Sequence, residues 1–287
     1  MLIPENEISR CGIAALNKYR VKTDNIPVGG DRIGIFYCEK GASQRPSKVI
    51  YDRMNTGFTT CKTEDYDWEK IFDGAGYFHF TGITPALGES VAAVCLDACK
   101  MAKECGITVS CDLNYRKNLW TTEQAKATME RLLEYVDILI ANEEDAEKVL
   151  GISAPDTDVT AGKLNKEGYV SVAKQICRKY GIPTVAITLR QSISASDNNW
   201  SGMLYTNDTA YFSREYAVHL VDRVGGGDSF GAGLIFAIGH GFEPQKCIDY
   251  AVAASCLKQT MEWDVNLSTE KEIMTLVNGD GSGRVQR

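Results

Sequence analysis

The chain has 287 residues, 44% of them hydrophobic and 24% charged, which is typical of a globular protein with a buried core. Its formal net charge of −7 argues against an extended nucleic-acid-binding surface, although a few arginines could still hold an anionic ligand in a pocket. The sequence shows neither a signal peptide nor an apolar run long enough to cross a bilayer. We therefore predict a cytoplasmic protein with no membrane partner and no nucleic-acid partner.

The ten cysteines show no CxxC pair and no Cys/His cluster at zinc-ligand spacing. Cys95 and Cys99 lie four residues apart on a predicted helix, and Cys105 and Cys111 flank a predicted strand. Scattered positions of this kind are typical of small buried side chains in a reducing compartment.

Residues 31–56 predict an antiparallel strand pair that follows a helix at residues 5–19. The two runs, DRIGIFYCEKG and PSKVIYDR, are separated by a polar loop. The pair interrupts an α/β pattern, so it could be a lid over a site or an edge hairpin of the main sheet. The sequence leaves both readings open.

Apolar strands and amphipathic helices alternate from Gly76 onward. The strands are GYFHFTG, ITVSCDL, VDILIA and PTVAITL, and helices are predicted at residues 85–105, from 121, at 142–150 and at 167–180. A hairpin (WSGMLYT, then TAYFSREY), a glycine-rich turn and two helices to about residue 259 follow, before a short polar tail that we expect to be flexible. This order predicts one α/β domain over residues 1–287, with a mainly parallel sheet covered by helices on both faces.

Polar residues follow four of the predicted strands directly. They are Thr81–Gly82, residues 112–116, residues 142–145 and Arg190. Ligands of open α/β sheets bind at the carboxyl ends of the strands, so these four positions predict one functional rim.

Three consecutive glycines precede the second-last predicted helix, in VDRVGGGDSFGAG. Gly225, Gly226 and Gly227 would let backbone N–H groups converge on an anion at a helix N-terminus. The chain has no Walker A motif, and Phe230 stands where the dinucleotide fingerprint needs its third glycine. Asp228 follows the glycines, where a carboxylate either caps the helix or accepts the proton of an attacking hydroxyl. The spacing alone leaves both roles open.

The GGGDSFGAG stretch resembles the C-terminal signature of the ribokinase-like (PfkB) family of sugar kinases, with Gly226 where that signature usually has alanine. GDRIGIFYCEKGASQRPSKVIYDR, FHFTGITPALG, CDLNYRKNLW and ANEEDAEKVLGI are similar to the branch whose members phosphorylate 2-keto-3-deoxy-D-gluconate on its 6-hydroxyl with MgATP. The resemblance runs from about residue 5 to the end of the chain. It implies a three-layer α/β/α fold with a mainly parallel sheet and a small antiparallel β lid at residues 31–56.

The resemblance also implies roles for individual residues. Asp228 would be the general base, the three glycines the anion hole, and Arg116 the partner of the substrate carboxylate, which suits a guanidinium fork. Further substrate contacts would be Phe36, Tyr51, Arg53 and Ile83, where Phe36 replaces a tyrosine found in relatives. ATP would contact Asn142, Arg190, Gly225, Gly227 and Ser255. The carboxylate that organises Mg²⁺ would be Glu144 or Asp145, and Asp222 with Ser255 would line the nucleotide region or a site for a monovalent cation such as K⁺.

Members of the family begin with a β-strand and a glycine-rich sugar-binding turn before the first helix seen here. We therefore expect an N-terminally incomplete kinase domain, with some sheet core and part of the sugar pocket missing and with lowered stability. Two other functions stay open: a kinase of a neutral sugar such as fructose or ribose, and an inactive nucleotide-binding module. The exposed strand pair also makes a homo-oligomer an open expectation.

Overall fold

The computed structural model describes residues 1–153 and 166–281, so the predicted flexible tail lies largely outside the described residues. The chain divides into two compact units. The first comprises Met1–Glu39, Val49–Ile138 and Lys148–Gly151, and the second comprises Lys40–Lys48, Leu139–Glu147 and Ile152–Arg287. The assignment of residues 1–287 to one domain stays a prediction.

The first unit contains the strand pair, two further strands and four helices. In chain order these are α1 (Glu7–Lys18), β1 (Ile35–Glu39), β2 (Lys48–Asp52, whose first residue falls in the second unit), α2 (Trp68–Phe72), β3 (Tyr77–Thr81), α3 (Glu89–Glu104), β4 (Thr108–Asp112) and α4 (Thr122–Leu133). Helix α4 begins where a capping box is complete, because Thr121 accepts from the Gln124 N–H and the Gln124 side chain accepts from the Thr121 N–H.

Strands β3 and β4 are parallel, and their register runs from Tyr77 opposite Thr108 to Thr81 opposite Asp112. Helix α3 turns an apolar face to the core of this unit, since its buried residues recur at helical spacing. They are Val91, Val94, Cys95, Ala98, Cys99 and Ala102. The parallel register brings the carboxyl ends of β3 and β4 side by side, as the rim prediction requires.

Strands β1 and β2 form a separate two-stranded antiparallel sheet. Among the described strands they pair only with each other, which rules out the edge-hairpin interpretation. Every residue of both strands is exposed. We call this pair the β lid, although its closing over a site stays a prediction.

The second unit contains the remaining strands and helices. They are β5 (Ile138–Asn142, whose first residue falls in the first unit), α5 (Glu143–Leu150, whose end does so too), α6 (Lys166–Tyr180), β6 (Thr184–Ser192), β7 (Asp197–Thr206), β8 (Thr209–Phe212), β9 (Tyr216–His219), α7 (Gly226–Gly239), α8 (Pro244–Lys258) and α9 (Glu270–Val277). The strand order is β5-β6-β7-β8, with β9 also paired to β7, and β7 is antiparallel to β6, β8 and β9.

The predicted hairpin is confirmed by β7 and β8, but TAYFSREY does not form one strand. Residues 209–212 form β8 and Tyr216 begins β9, and these two strands pair with opposite ends of β7. The fold class is otherwise as predicted, with a mostly parallel central sheet, flanking helices and a small antiparallel sheet.

Helices α7 and α8 pack closely, because glycine allows backbone contact between them. A Cβ on Gly233 would lie 3.0 Å from the Ala251 Cα and from the Ala254 Cβ. Beneath them, a Cβ on Gly202 of β7 would lie 2.9 Å from Val252 and 3.2 Å from Phe230. This packing fixes the N-terminus of α7 against the C-terminal half of α8.

All ten cysteines are free thiols, and six of them are buried. Within residues 1–153 and 166–281, no helix has both the length and the apolarity that a membrane span would need.

Candidate active site

The glycine-rich turn enters α7 through a left-handed residue. Gly225 is the N-cap with φ +78° and ψ 1°, and its carbonyl oxygen accepts from the Ser229 N–H at 2.8 Å. No side chain caps this helix. Asp228 lies exposed in the first turn and does not act as the cap, so its carboxylate is available at the helix N-terminus.

The N–H groups of the turn are not equivalent. Gly226 donates to the Arg223 carbonyl oxygen at 3.2 Å, which closes the turn. No acceptor for the N–H groups of Gly225, Gly227 and Asp228 is found in the described part of the chain. These three groups lie at the positive end of the α7 dipole, which is a favourable place for an anion.

Helix α8 supports the turn from its buried side. The Ser255 hydroxyl donates to the Gly226 carbonyl oxygen at 2.7 Å, and the Gln259 side-chain amide donates to the Ser255 carbonyl at 3.2 Å. Ser255 is fully buried. Ser255, which the resemblance implied as an ATP contact, therefore lies beneath the turn and holds the turn's backbone through the Gly226 carbonyl.

Two arginines lie close to one another beside the turn. Arg223 is partly buried, and its Nη2 is 3.4 Å from the Ala195 carbonyl oxygen. Burial first, and then the nearby charge of Arg190, lowers the pKa of Arg223. Neither guanidinium has a carboxylate partner among the described residues. Two unpaired like charges beside free backbone N–H groups indicate a site for a polyanion.

Asp222, three residues before the left-handed Gly225, is almost completely buried and paired. Its Oδ2 lies 3.0 Å from the Lys40 Nζ, and its Oδ1 accepts from the Val224 N–H at 3.1 Å. Lys40 also contacts Glu262, and these hydrogen bonds, with that to Glu262 the larger, raise the pKa of Lys40. The Asp222 carboxylate thus fixes the backbone that leads into the turn.

Asn142 ends β5 and begins α5. Its side-chain oxygen accepts from the N–H groups of Glu144 and Asp145, both at 2.9 Å. Asp145 is only 3% exposed, whereas Glu144 is exposed. No group of three metal-ligating side chains occurs within the described ranges. Mg²⁺ usually keeps several waters and uses one or two carboxylates together with phosphates, so the exposed Glu144 carboxylate is a candidate ligand for it.

Closely packed backbone joins the ends of β3 and β4 in the first unit. The Gly82 N–H donates to the Asp112 carbonyl at 2.7 Å, and the Asn114 side-chain amide donates to the Thr81 hydroxyl at 2.9 Å. A Cβ on Gly82 would lie only 2.1 Å from the Leu113 carbonyl oxygen, so this approach requires glycine. Two of the four predicted rim positions are therefore in direct contact.

Arg116 follows this contact on the loop after β4. It is exposed, and its Nη1 donates to the neighbouring Tyr115 carbonyl at 3.0 Å. The described residues offer it no carboxylate partner. Ile83, at the end of β3, is half-buried. The guanidinium is therefore available to an external carboxylate.

The β lid places three of the predicted substrate contacts together. The rings of Phe36 and Tyr51 lie 6.3 Å apart between centroids, and the Arg53 guanidinium lies 4.0 Å from the centroid of the Tyr51 ring. Both aromatic rings are about half exposed. This aromatic and cationic cluster leaves surface for a small polar ligand to cover.

The sequence interpretation did not single out Arg223, Lys40 or Lys258. Lys40 and Lys258 both contact Asp222, and Arg223 lies two residues before Gly225. The position of Arg223 immediately before VGGGD was a usable signal, since basic residues beside a glycine-rich turn favour phosphate. Lys40 and Lys258 gave no such signal, because each reaches the turn only through tertiary contacts.

Comparison with known proteins places this geometry in a family. The pfkB family carbohydrate kinase pattern matches residues 7–262. A crystal structure of 2-dehydro-3-deoxygluconokinase from Thermotoga maritima superposes with a TM-score of 0.93 at 51% identity, covering 97% of this chain and 82% of that one. The family match includes the β lid and the glycine-rich turn.

Curated relatives are more distant in sequence. A 2-dehydro-3-deoxygalactonokinase from Haloferax volcanii is 28% identical over 88% of this chain and 72% of its own length. A 2-dehydro-3-deoxygluconokinase from Thermoproteus tenax is 26% identical over 89% of this chain and 71% of its own length. The ribokinase-like fold expected from the signature is confirmed by these similarities.

Proposed function

Since the chain belongs to the pfkB family of carbohydrate kinases, we propose that it transfers the γ-phosphoryl group of ATP to the 6-hydroxyl of 2-keto-3-deoxy-D-gluconate. The name of the Thermotoga maritima relative, at 51% identity, supports this acceptor. The observation that carries the chemistry is Asp228, an exposed carboxylate that does not cap its own helix. It lies at a helix N-terminus where the N–H groups of Gly225, Gly227 and Asp228 have no acceptor in the described chain.

The proposed reaction divides the work between the carboxylate and the backbone. Asp228 accepts the proton of the 6-hydroxyl as its oxygen attacks the γ-phosphorus, and the bond to ADP breaks on the opposite side. The N–H groups of Gly225, Gly227 and Asp228 donate to the transferred phosphoryl oxygens. Gly226 contributes by closing the turn, because its own N–H is already used by Arg223.

ATP is proposed to bind through the cationic groups of the second unit. Arg190 and Arg223 supply two unpaired guanidiniums for phosphates, and their mutual repulsion is relieved when a polyanion binds. Asn142 keeps its side-chain NH₂ available after its oxygen has capped α5. Glu144 rather than buried Asp145 is the carboxylate that could reach Mg²⁺, which when bound neutralises charge on the phosphates.

The sugar acid is proposed to bind through the first unit. Arg116 offers a guanidinium fork to its carboxylate, while Phe36, Tyr51 and Arg53 of the β lid and Ile83 contact its hydroxyl-bearing chain. A neutral sugar would leave Arg116 without a partner, which disfavours fructose or ribose. The name of the Haloferax volcanii relative supports 2-keto-3-deoxygalactonate as a second candidate acceptor.

The experiment is a coupled ADP-release assay with both keto-deoxy acids, fructose and ribose. We expect rapid turnover on a keto-deoxy acid and little on the neutral sugars. Arg116→Ala should raise KM for the acid selectively, whereas Lys117→Ala, an exposed cation beside it, should not. Equal effects of Arg116→Ala on acid and neutral sugar would contradict the carboxylate assignment, and ATP binding without sugar-dependent ADP release would favour an inactive module.

We also infer self-association through the outer face of the β lid. Side chains alternate along a strand, so Tyr37 and Ile50 point away from the side that carries Phe36 and Tyr51. Tyr37 is 62% and Ile50 68% exposed, and large apolar side chains exposed on one strand pair favour an interaction surface. Light scattering should show a dimer that Ile50→Asp dissociates, and a monomeric wild type would contradict this assignment.

A further inference from the structure

Lys258, the last residue of α8, is fully buried, which is rare for a lysine. Its Nζ donates to the Asp222 carbonyl oxygen at 3.0 Å. Burial lowers the pKa of Lys258, while the carboxylates of Asp222 and Asp264 act in the opposite direction. A buried ammonium is costly, so its retention at one carbonyl needs a reason beyond filling space.

The carbonyl that Lys258 contacts begins the segment leading to the glycine turn. The Asp222 N–H donates to the Gln259 carbonyl at 3.2 Å, and its carboxylate accepts from the Val224 N–H. One turn earlier on α8, the Ser255 hydroxyl holds the Gly226 carbonyl at 2.7 Å. Because Ser255 and Lys258 are three residues apart, one face of α8 contacts carbonyls at both ends of the 222–226 segment.

A cation on the carbonyl side of this segment favours one orientation of its peptide groups. The Asp222 carbonyl turns toward the ammonium and the Gly226 carbonyl toward Ser255, so in the planar Gly226–Gly227 peptide group the Gly227 N–H points away from α8, as anion binding requires. The family resemblance implied that Asp222 and Ser255 line either the nucleotide region or a site for a monovalent cation. In the structure a covalently attached ammonium occupies the Asp222 carbonyl instead.

We propose that Lys258 is a positioning residue that acts as a built-in monovalent cation, orienting residues 222–226 so that the turn binds the transferred phosphoryl group without added potassium. This inference rests on the proposed kinase reaction but not on the identity of the sugar acid. Lys258 touches neither ATP nor sugar, because it is fully buried. Its effect is therefore expected in kcat rather than in substrate binding.

The test compares wild type with Lys258→Met, which removes the charge, and Lys258→Gln, which keeps an N–H donor for the Asp222 carbonyl. Wild-type kcat should be equal in potassium, sodium and choline chloride at one ionic strength. Both variants should lose about 10- to 100-fold in kcat, with both KM values nearly unchanged, and potassium should restore part of the loss. Lys103→Met, which removes an exposed ammonium paired with Asp137, is the matched control and should keep the wild-type kcat.

A second measurement separates this inference from the choice of sugar. Calorimetry with MgADP plus aluminium fluoride, a mimic of the phosphoryl group in transfer, needs no sugar turnover. Lys258→Met should bind MgADP normally and the fluoride complex more weakly than wild type does. If the keto-deoxy acids are not substrates, the proposed acceptor fails while this comparison still tests Lys258.

Three results would overturn the inference. Wild-type kcat that rises specifically with potassium would show that the lysine does not replace the ion. Normal kcat in Lys258→Gln would show that the charge is not needed. Loss of the cooperative melting transition in Lys258→Gln would assign the lysine to folding instead of to the phosphoryl step.

Discussion

Gly225 faces the Asp264 carbonyl so closely that a Cβ at position 225 would lie 2.1 Å from that oxygen. Its φ of +78° is also in the left-handed region, which other residues rarely adopt. Gly227, two residues later, meets nothing within 4 Å of its own added Cβ. These two glycines therefore differ in role: Gly225 is required by the backbone conformation, and Gly227 leaves space beside an N–H group that has no acceptor among the described residues.

Replacing Gly225 and Gly227 singly with alanine should separate the structural role of the first from the phosphate-binding role of the second. Gly225→Ala combines left-handed strain, about 1–2 kcal/mol, with a backbone clash, so the melting temperature and kcat should both fall. Gly227→Ala should keep the wild-type melting temperature and lower kcat, because a methyl group would occupy the space in front of the phosphate-binding N–H. Calorimetric melting and ADP release measure the two effects. A Gly227→Ala variant with normal kcat would remove this residue from the phosphate site.

Asp228→Asn tests the general base with little change of shape. Loss of the proton acceptor should reduce kcat about 10²–10⁴-fold while ATP affinity changes little. Asp249→Asn is the matched control, since its carboxylate lies on α8 and accepts from Gln245 at 3.0 Å. Both variants should melt like wild type, because Asp228 makes no cap. Near-normal turnover of Asp228→Asn would rule out the proposed role.

Much of this architecture could be predicted from local pattern. Strands β3, β4 and β5 were recognisable as apolar runs that end in polar residues, and the start of α4 was predicted near Thr121. The break between β8 and β9 was not predicted, because TAYFSREY contains no glycine or proline to mark it. It shows only in the pairing of the two strands with opposite ends of β7.

The contacts that support the glycine-rich turn could not be predicted from the sequence either. Lys258 looks like an ordinary basic residue in the last turn of a helix, where lysine commonly faces solvent. Its burial results from the packing of residues 222–224 over the end of α8, which no local pattern records. Asp222 was placed near the turn by resemblance, but its pairing with Lys40 depends on a contact distant in sequence.

Arg223 should lower the stability of the free protein while strengthening its binding of nucleotide. Arg223→Met removes a partly buried charge that Arg190 repels, so the free variant should melt no lower than wild type. Its KM for ATP should rise about 10- to 100-fold, because a charge-assisted contact to phosphate is lost. MgATP should accordingly raise its melting temperature less than that of wild type. Arg178→Met, at an exposed site on α6, is the control, and an unchanged KM for ATP in Arg223→Met would exclude a phosphate contact.

Buried thiols of α3 should make the fold sensitive to alkaline pH. Burial raises the pKa of Cys99 from 9.0 to about 12, and burial, followed by the charge of Cys99, also raises the pKa of Cys95. A thiol with a raised folded-state pKa contributes stability that is complete below pH 9 and is lost as pH rises toward 12. Each such group lowers the free energy of unfolding by about 1.4 kcal/mol per pH unit within that window. Guanidinium unfolding under reducing conditions at a series of alkaline pH values measures how the free energy of unfolding falls with pH. This fall should be shallower in Cys99→Ala than in wild type, whatever the absolute stability of the variant, and unchanged in the control Cys105→Ala, which alters an exposed thiol. An unchanged slope in Cys99→Ala would show that Cys99 does not titrate on unfolding.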